Sequence, residues 1–372
     1  MKLLQVKPQI HKFNSFNDFS EYFSIGSGDL ILTNEFLYNS FMEKLSFNAE
    51  FIFQERYGMG EPSDNMIDAI ITEMSGKNYK RIIAVGGGSV IDIAKLLVIK
   101  DSKNALDLFE NKIPLIKERE LIIVPTTCGT GSEVTNISIA EIKSRHTKLG
   151  LATDELYADY AVLIPELLKG LPYKFFLTSS IDALIHAVES YVSPKSNIYT
   201  ELFSVKAINL ILKGYMKLIE KGPEYRLEIL EDFVVGSNFA GIAFGNTGVG
   251  AVHALSYPLG AAYHVPHGEA NYQFFIEVFK TYNKKNPEGK IKEINNILSE
   301  ILGVSAASNI YEELSKVLDK LLSRKPLKEY GMKEEEIEAF SNNVIESQQR
   351  LLANNYADLN RDEIRNIFKA LY

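Results

Sequence analysis

The sequence predicts an α/β domain built on a parallel sheet over residues 1–164, followed by an all-helical domain over residues 165–372. Three observations carry that prediction. In the first half, short and fully apolar runs alternate with helical spacing, the pattern of parallel strands covered on both faces. Beyond about residue 165 nearly every periodic stretch has helical spacing. The length of 372 residues also exceeds the roughly 100–200 residues that one domain usually holds.

Within the first domain, residues 29–32 (DLIL) and 51–53 (FIF) read as strands, and 66–74 reads as an amphipathic helix. RIIAV at 81–85 is a strand that runs into three glycines and then into helical spacing over 90–99. LIIVP at 121–125 is a further buried strand ending in a polar loop. In the second domain, helical spacing covers 178–191, 200–220, 227–244, 294–302, 307–322, 333–352 and 361–371. The charge run KEEEIE at 333–338 reads as a solvated helix face.

Hydrophobic residues make up 46% of the chain and charged residues 24%, as in an ordinary globular protein. The net charge of −8 argues against a nucleic-acid partner, which calls for a basic field. Cys128 is the single cysteine, so no intramolecular disulfide can form, as suits a reducing compartment. No apolar stretch approaches the ~18 residues of a membrane span, and the opening MKLLQVKPQIHKFNSF lacks the apolar core of a signal peptide. A cytoplasmic protein without membrane or nucleic-acid partners is expected.

Gly86, Gly87, Gly88 and Ser89 follow the RIIAV strand and open a helix that carries Asp92 and Lys95 on its next turn. Consecutive glycines let a diphosphate approach the backbone, and the helix start supplies N–H groups and a positive dipole end. Ser89 is the expected cap. The motif is not the GxGxxG fingerprint, and a plain strand-to-helix turn would look much the same. A second polar loop, TTCGTGSE at 126–133, follows the LIIVP strand. Its Thr126, Thr127 and Thr130 hydroxyls suit phosphate and ribose oxygens at the carboxyl end of a parallel strand. A capped helix start would need only Ser132 or Thr130. Cys128 reads as a small filler in this loop.

Four of the six histidines fall in the helical domain. Asp182 and His186 are spaced i, i+4 in SSIDALIHAVESY and so share one helix face. His253, His264 and His267 follow within a single stretch. Imidazoles plus one carboxylate, with a position left open, serve a borderline divalent metal. Taken singly, each histidine has a structural explanation. Jointly, an aspartate and a histidine on an apolar helix face are costly to bury without a shared partner.

Four motifs now stand in order: GGGSVIDIAK at 86–95, TTCGTGSEVT at 126–135, DALIHAVESY at 182–191 and HALSYPLGAAYHVPHG at 253–268. Together they resemble the iron-containing alcohol dehydrogenase family over roughly residues 20–275. The resemblance implies an oxidoreductase that passes a hydride between NAD and a small alcohol or aldehyde. It implies metal ligation by Asp182, His186, His253 and His267, the metal being Fe2+ or else Zn2+. It assigns Gly87, Gly88 and Ser89 to the cofactor diphosphate, with Thr126, Thr127 and Thr130 lining the adjoining pocket and Lys148 near the ribose. Gly86 and Asp92 complete the expected cradle. The α/β domain would thus bind the dinucleotide and the helical domain the metal, with reaction in the cleft between them.

Two departures from the family pattern matter. Tyr257 stands where members acting on short alcohols often have another histidine, and His264 stands where asparagine is common. Both are carried as candidate catalytic or pocket residues. Asn34, followed by Glu35, stands where many members place an aspartate on the ribose hydroxyl, so NAD is favoured and NADP is left open. Within the family the chain is similar to the branch that interconverts 4-hydroxybutyrate and succinate semialdehyde. Butanol, 1,2-propanediol or glycerol are alternative substrates, and a dehydroquinate-synthase-like lyase is an alternative reaction. A non-catalytic nucleotide-binding relative would be expected to have lost a ligand position, and here all four are filled. A carboxylate-bearing substrate requires a cationic or multi-donor anchor, which no motif marks. The resemblance also implies a homo-oligomer, dimer or higher.

Overall fold

The computed structural model describes residues 2–45, 47–145, 147–305 and 309–372. It divides into two compact units, one spanning Val6–Leu171 and the other Pro172–Tyr372 together with the stretch that ends at Gln5. The boundary therefore falls seven residues later than the expected 164/165. Leu167 is buried in the core of the sheet unit, and the Glu166 carboxylate accepts the Phe16 N–H at 3.1 Å. Gln5 is drawn to the helical unit by a reciprocal pair of bonds with the Asn246 amide, at 2.7 and 3.0 Å.

The first unit contains strands β1 (Gln9–Lys12), β2 (Asp29–Thr33), β3 (Glu50–Phe53), β4 (Arg81–Gly86), β5 (Glu120–Pro125), β6 (Ile137–Ile142), β7 (Thr147–Ala152) and β8 (Tyr160–Leu163). Six of them form a parallel sheet in the order β1-β8-β5-β4-β2-β3, while β6 and β7 pair as a separate antiparallel ribbon. Alternation along the strands explains their apolar runs. Leu30, Leu32, Ile82, Ala84, Leu121 and Ile123 enter one core, and Ile31, Ile83, Val85, Ile122 and Val124 enter the core on the opposite face. A strand covered on both sides has no polar face to show in its sequence. The additional strands β1, β6, β7 and β8 lie outside the expected set. β1 is a mostly exposed edge strand, QIHK, with no apolar run to betray it.

The strand order reverses between β2 and β4. From β2, the chain steps to β3 on one side, then returns to build β4, β5 and β8 on the other. In open α/β sheets ligands bind at such a switch point, outside the carboxyl ends of the strands. Those ends carry Asn34 after β2, the glycines after β4 and the threonine-rich loop after β5.

The helix that follows β4, Gly88–Leu97, is locked to this region by Lys95, which is fully buried. Its ammonium donates to Ser132 Oγ at 2.7 Å, Thr135 Oγ1 at 3.2 Å and the Ile137 carbonyl at 2.7 Å. One turn earlier, Asp92 accepts from Ser132 Oγ at 3.0 Å and from the Ile139 N–H at 3.1 Å. One helix face thus grips both the second polar loop and the start of β6.

In the second unit no strand occurs among the described residues. Its main helices are Tyr173–Val192, Ile198–Lys221, Leu230–Thr247, Ala251–Tyr263, His267–Lys285, Lys290–Leu302, Ile310–Leu321, Glu336–Ser347 and Arg361–Leu371. Tyr173–Val192 is buried on almost every side from Phe176 onward, although it carries Asp182, His186 and Glu189 among its apolar residues. The helix expected over 307–322 is seen as Ile310–Leu321; residues 307 and 308 lie outside the described residues. The single helix expected over 333–352 is instead two, Glu336–Ser347 and Gln349–Leu352, parted at Gln348 by a non-helical ψ of 25°. Among the described residues no helix is long and apolar enough to cross a membrane.

Burial pushes the Lys95 ammonium down to about 8, against the pull of Asp92 and Glu133. A base whose pKa falls on folding is protonated in the unfolded chain and neutral in the folded one between the two values. Stability from this group therefore rises with pH above about 8, until the unfolded lysine also titrates near ~10.4. The stability difference between wild type and Lys95→Met should grow in favour of wild type across that window. Denaturant titrations at stepped pH test this, and a difference that stays flat would count against it.

Candidate dinucleotide cradle and metal centre

The cradle forms where β4 meets its helix. Gly87 is the N-cap, in an extended conformation and with no side-chain cap. Ser89 does not cap the helix as expected, because it lies inside the first turn and its hydroxyl donates to the Gly60 carbonyl at 2.8 Å. The helix start is thus left without a side-chain acceptor, the state in which its N–H groups suit an anion. A Cβ on Gly86 would fall 2.6 Å from Val90 Cβ, so only glycine permits this tight turn. Gly87 and Gly88 abut Thr127 and Thr130, since added Cβ atoms there would lie 3.4 and 3.2 Å from the threonine methyls. The Thr126 N–H also donates to the Gly86 carbonyl at 3.0 Å. The structure therefore brings Gly86, Gly87, Gly88, Thr126, Thr127 and Thr130 together. The segment Ser132–Val134 is only a single 3-10 turn, so the loop is more than a capped helix start.

Three other expected cofactor residues have different surroundings. The carboxylate oxygens of Asp92 accept from Ser132 and Ile139, so this member of the expected cradle also supports the loop from behind. Burial raises its pKa, with Lys95 opposing. Lys148 lies on β7, and its ammonium pairs with Glu61. The Asn34 amide donates to Glu55 Oε2 at 3.0 Å and Gln54 Oε1 at 3.3 Å.

In the helical unit, Asp182 and His186 project from the Tyr173–Val192 helix. His253 sits in the first turn of Ala251–Tyr263, and His267 opens the helix that follows Pro266. One ligand atom from each of the four lies within 4.8 Å of all the others. His253 Nε2 and His186 Nε2 are 3.0 Å apart, and His253 Nε2 is 3.7 Å from Asp182 Oδ1. Asp182, His186 and His253 are buried, whereas the His267 side chain is 39% exposed, which leaves the cluster accessible on one side.

Two residues that sequence reasoning missed organise this cluster. Glu189 accepts from His253 Nδ1 at 2.6 Å and from the Val252 N–H at 2.8 Å. A protonated Nδ1 leaves the Nε2 lone pair directed at the cluster, and the carboxylate raises the basicity of the ring. Burial lowers the His253 pKa, but Glu189 and Asp182 together outweigh it and the net shift is upward. Asn271 donates to Asp182 Oδ1 at 2.7 Å, lies 3.2 Å from His267 Nε2, and itself accepts from Ser256. For Asp182, burial raises the pKa, but His186, His267, His253 and Asn271 together hold it below the usual carboxylate value. The sequence held faint signals of both, Glu189 lying seven residues after Asp182 and Asn271 four after His267. Gly268 permits the approach of the two helices, because a Cβ there would strike the Thr178 carbonyl and press on Asp182 Cβ at 3.3 Å.

Three imidazole nitrogens and one carboxylate oxygen converge here, with His253 held from behind by Glu189 and Asp182 by Asn271, and form a donor set that fits a divalent cation. Tyr257, one turn beyond His253, lies with its ring tilted against His267 at 6.4 Å. His264 ends the Ala251–Tyr263 helix in a left-handed conformation (φ 52°). It is exposed and stands outside the four-residue ligand cluster.

Comparison with known proteins agrees with these features. Residues 10–165 match the model of iron-containing alcohol dehydrogenases, and residues 176–372 match that of the C-terminal part of the Fe-containing alcohol dehydrogenase family. The 4-hydroxybutyrate dehydrogenase of Clostridium kluyveri is 66% identical over 372 residues, covering all of both chains. The chain belongs to the iron-containing alcohol dehydrogenase family. Among solved structures, a 1,3-propanediol oxidoreductase superposes with a TM-score of 0.86 at 22% identity over the whole of both chains. The sulfoacetaldehyde reductase of Bifidobacterium kashiwanohense, solved in complex with NAD+, gives 0.85 at 21% identity, covering 99% of this chain and 98% of that one. These two show the same fold.

In this iron-containing alcohol dehydrogenase, Glu189→Gln should keep the fold but weaken metal binding by about 10–100-fold, the usual cost of losing a carboxylate behind a ligating histidine. Competition with a chromogenic chelator measures this. Affinity equal to wild type would show that Glu189 does not act on the metal.

Proposed function

We propose that the enzyme interconverts 4-hydroxybutyrate and succinate semialdehyde with NAD as hydride carrier, using a divalent metal, iron by preference over zinc. The observation that carries the reading is full-length 66% identity to a 4-hydroxybutyrate dehydrogenase, in a chain whose four ligand positions all hold competent donors.

Asp182, His186, His253 and His267 hold the metal. A metal held there would supply Lewis acidity toward the substrate oxygen, and a dinucleotide held in the cradle would supply the hydride carrier. Glu189 and Asn271 keep the ligand atoms aimed inward, so little reorganisation is needed when charge develops there. Gly86, Gly87, Gly88 and Ser89, with Thr126, Thr127 and Thr130, receive the dinucleotide. In the oxidative direction the alcohol loses a hydride and a proton, yielding aldehyde, NADH and a released proton. Tyr257 is the side chain beside His267 suited to pass that proton, and it also shapes the wall next to the ligands. The single buried cysteine, Cys128, supports a reducing, cytoplasmic setting.

An anaerobic assay of iron-loaded and zinc-loaded protein, following NADH formation, tests this reading. It compares 4-hydroxybutyrate, butanol, 1,2-propanediol and glycerol. The highest kcat/KM is expected with 4-hydroxybutyrate, and turnover of butanol with none of 4-hydroxybutyrate would overturn the substrate assignment. His267→Ala should lose both bound metal, measured per chain by elemental analysis, and turnover. Retention of both would remove His267 from the ligand set.

A further inference from the structure

We propose that Glu55 is the residue that makes this enzyme prefer NAD to NADP, standing in for an acid at the end of β2. The inference rests on the reading of the cradle as a dinucleotide site.

In dinucleotide-binding sheets, the strand beside the cradle strand brings its carboxyl end to the adenosine ribose. An acid there accepts the ribose hydroxyls and repels a 2′-phosphate. Here β2 is the hydrogen-bonded neighbour of β4, and the residue that follows it is the neutral Asn34. A carboxamide beside the exposed backbone of Glu35 would offer hydrogen-bond donors, which suits a phosphate better than it repels one.

The structure fills that position from the next strand instead. After β3 the chain makes the short turn Gln54–Arg56. Glu55 Oε2 accepts from Asn34 Nδ2 at 3.0 Å, and Glu55 Oε1 accepts from the Glu35 N–H at 2.6 Å. Both donors that a 2′-phosphate would recruit are thus held by one carboxylate. Gln54, which is buried, takes the same Asn34 amide at 3.3 Å and anchors its own amide on the Gly58 carbonyl at 2.8 Å. Arg56, the cation on this turn, pairs with Glu35 at 3.3 Å and lies over the Phe53 ring at 4.6 Å. A ribose diol can donate to the remaining lone pairs of Glu55. A 2′-phosphate would meet a like charge fastened from two sides and find its donors occupied.

The test is a fluorescence titration of wild type and Glu55→Gln with NADH and with NADPH, in the absence of substrate. It is accompanied by kcat/KM for NAD and NADP. Wild type should bind NADH more tightly. Glu55→Gln should shift the NADPH:NADH affinity ratio toward NADPH by roughly tenfold or more, the effect expected on removing one nearby like charge, and should weaken NADH by loss of the ribose acceptor. Glu55→Ser, which also reopens both donors, should move the ratio in the same direction and supplies the answer if the glutamine variant folds poorly. A ratio within about twofold of wild type in the folded variant, or a wild type that binds both dinucleotides equally, would overturn the proposal. Failure of wild type to bind either one would instead sink the dinucleotide reading beneath it.

Discussion

Buried in the apolar centre of the helical unit are two carboxylates and two imidazoles, Asp182, Glu189, His186 and His253, and much of that unit is arranged so that they satisfy one another. Uncompensated, each would carry a desolvation penalty of several kcal/mol. Three of them share one helix, which is apolar on most of its other positions. The Glu189–His253 bond fixes one imidazole, and Asn271 fixes Asp182 and approaches His267. What remains is a knot of potential ligand atoms within 4.8 Å of one another, a donor set that fits a divalent cation. The close approach of the His267 helix over Gly268 follows from the same requirement.

The α/β unit has a different feature, a helix start left without a side-chain cap, whose backbone N–H groups suit an anion. Gly86 brings the chain sharply from strand to helix, and Gly87 caps that helix without a side chain. The charged groups nearby face inward. Lys95 and Asp92 join the cradle helix to the threonine-rich loop, so the two halves of the cradle are held at a fixed spacing from behind. A buried lysine in this role is costly, and three oxygen partners offset the cost.

The legible part of the fold was the part governed by local periodicity. Strands β2, β4 and β5 were readable because burial on both faces leaves them uniformly apolar, and most long helices were readable from their stripe. The edge strand β1 and the β6–β7 ribbon lacked either signal. The helix Ala251–Tyr263 carries Gly260 and Pro258, which blunt its spacing. The misreading of Ser89 as a cap has a similar origin, since serine near a helix start usually caps. Only the position of Gly60 shows that its hydroxyl is engaged elsewhere.

By itself the sequence determined the chemistry available: which residues can donate to a metal, that Asp182 and His186 share a helix face, and that glycines end a buried strand. Those properties depend on residue type and on spacing within one element. Tertiary structure alone decided that His253 and His267 reach Asp182, that Glu189 orients His253 from 64 positions away, and that Glu55 covers the neutral Asn34 from 21 positions away. Contacts of this kind are set by how separate helices and strands pack. No local periodicity records them, because the side chains involved belong to different elements and meet only when the cores beneath them close.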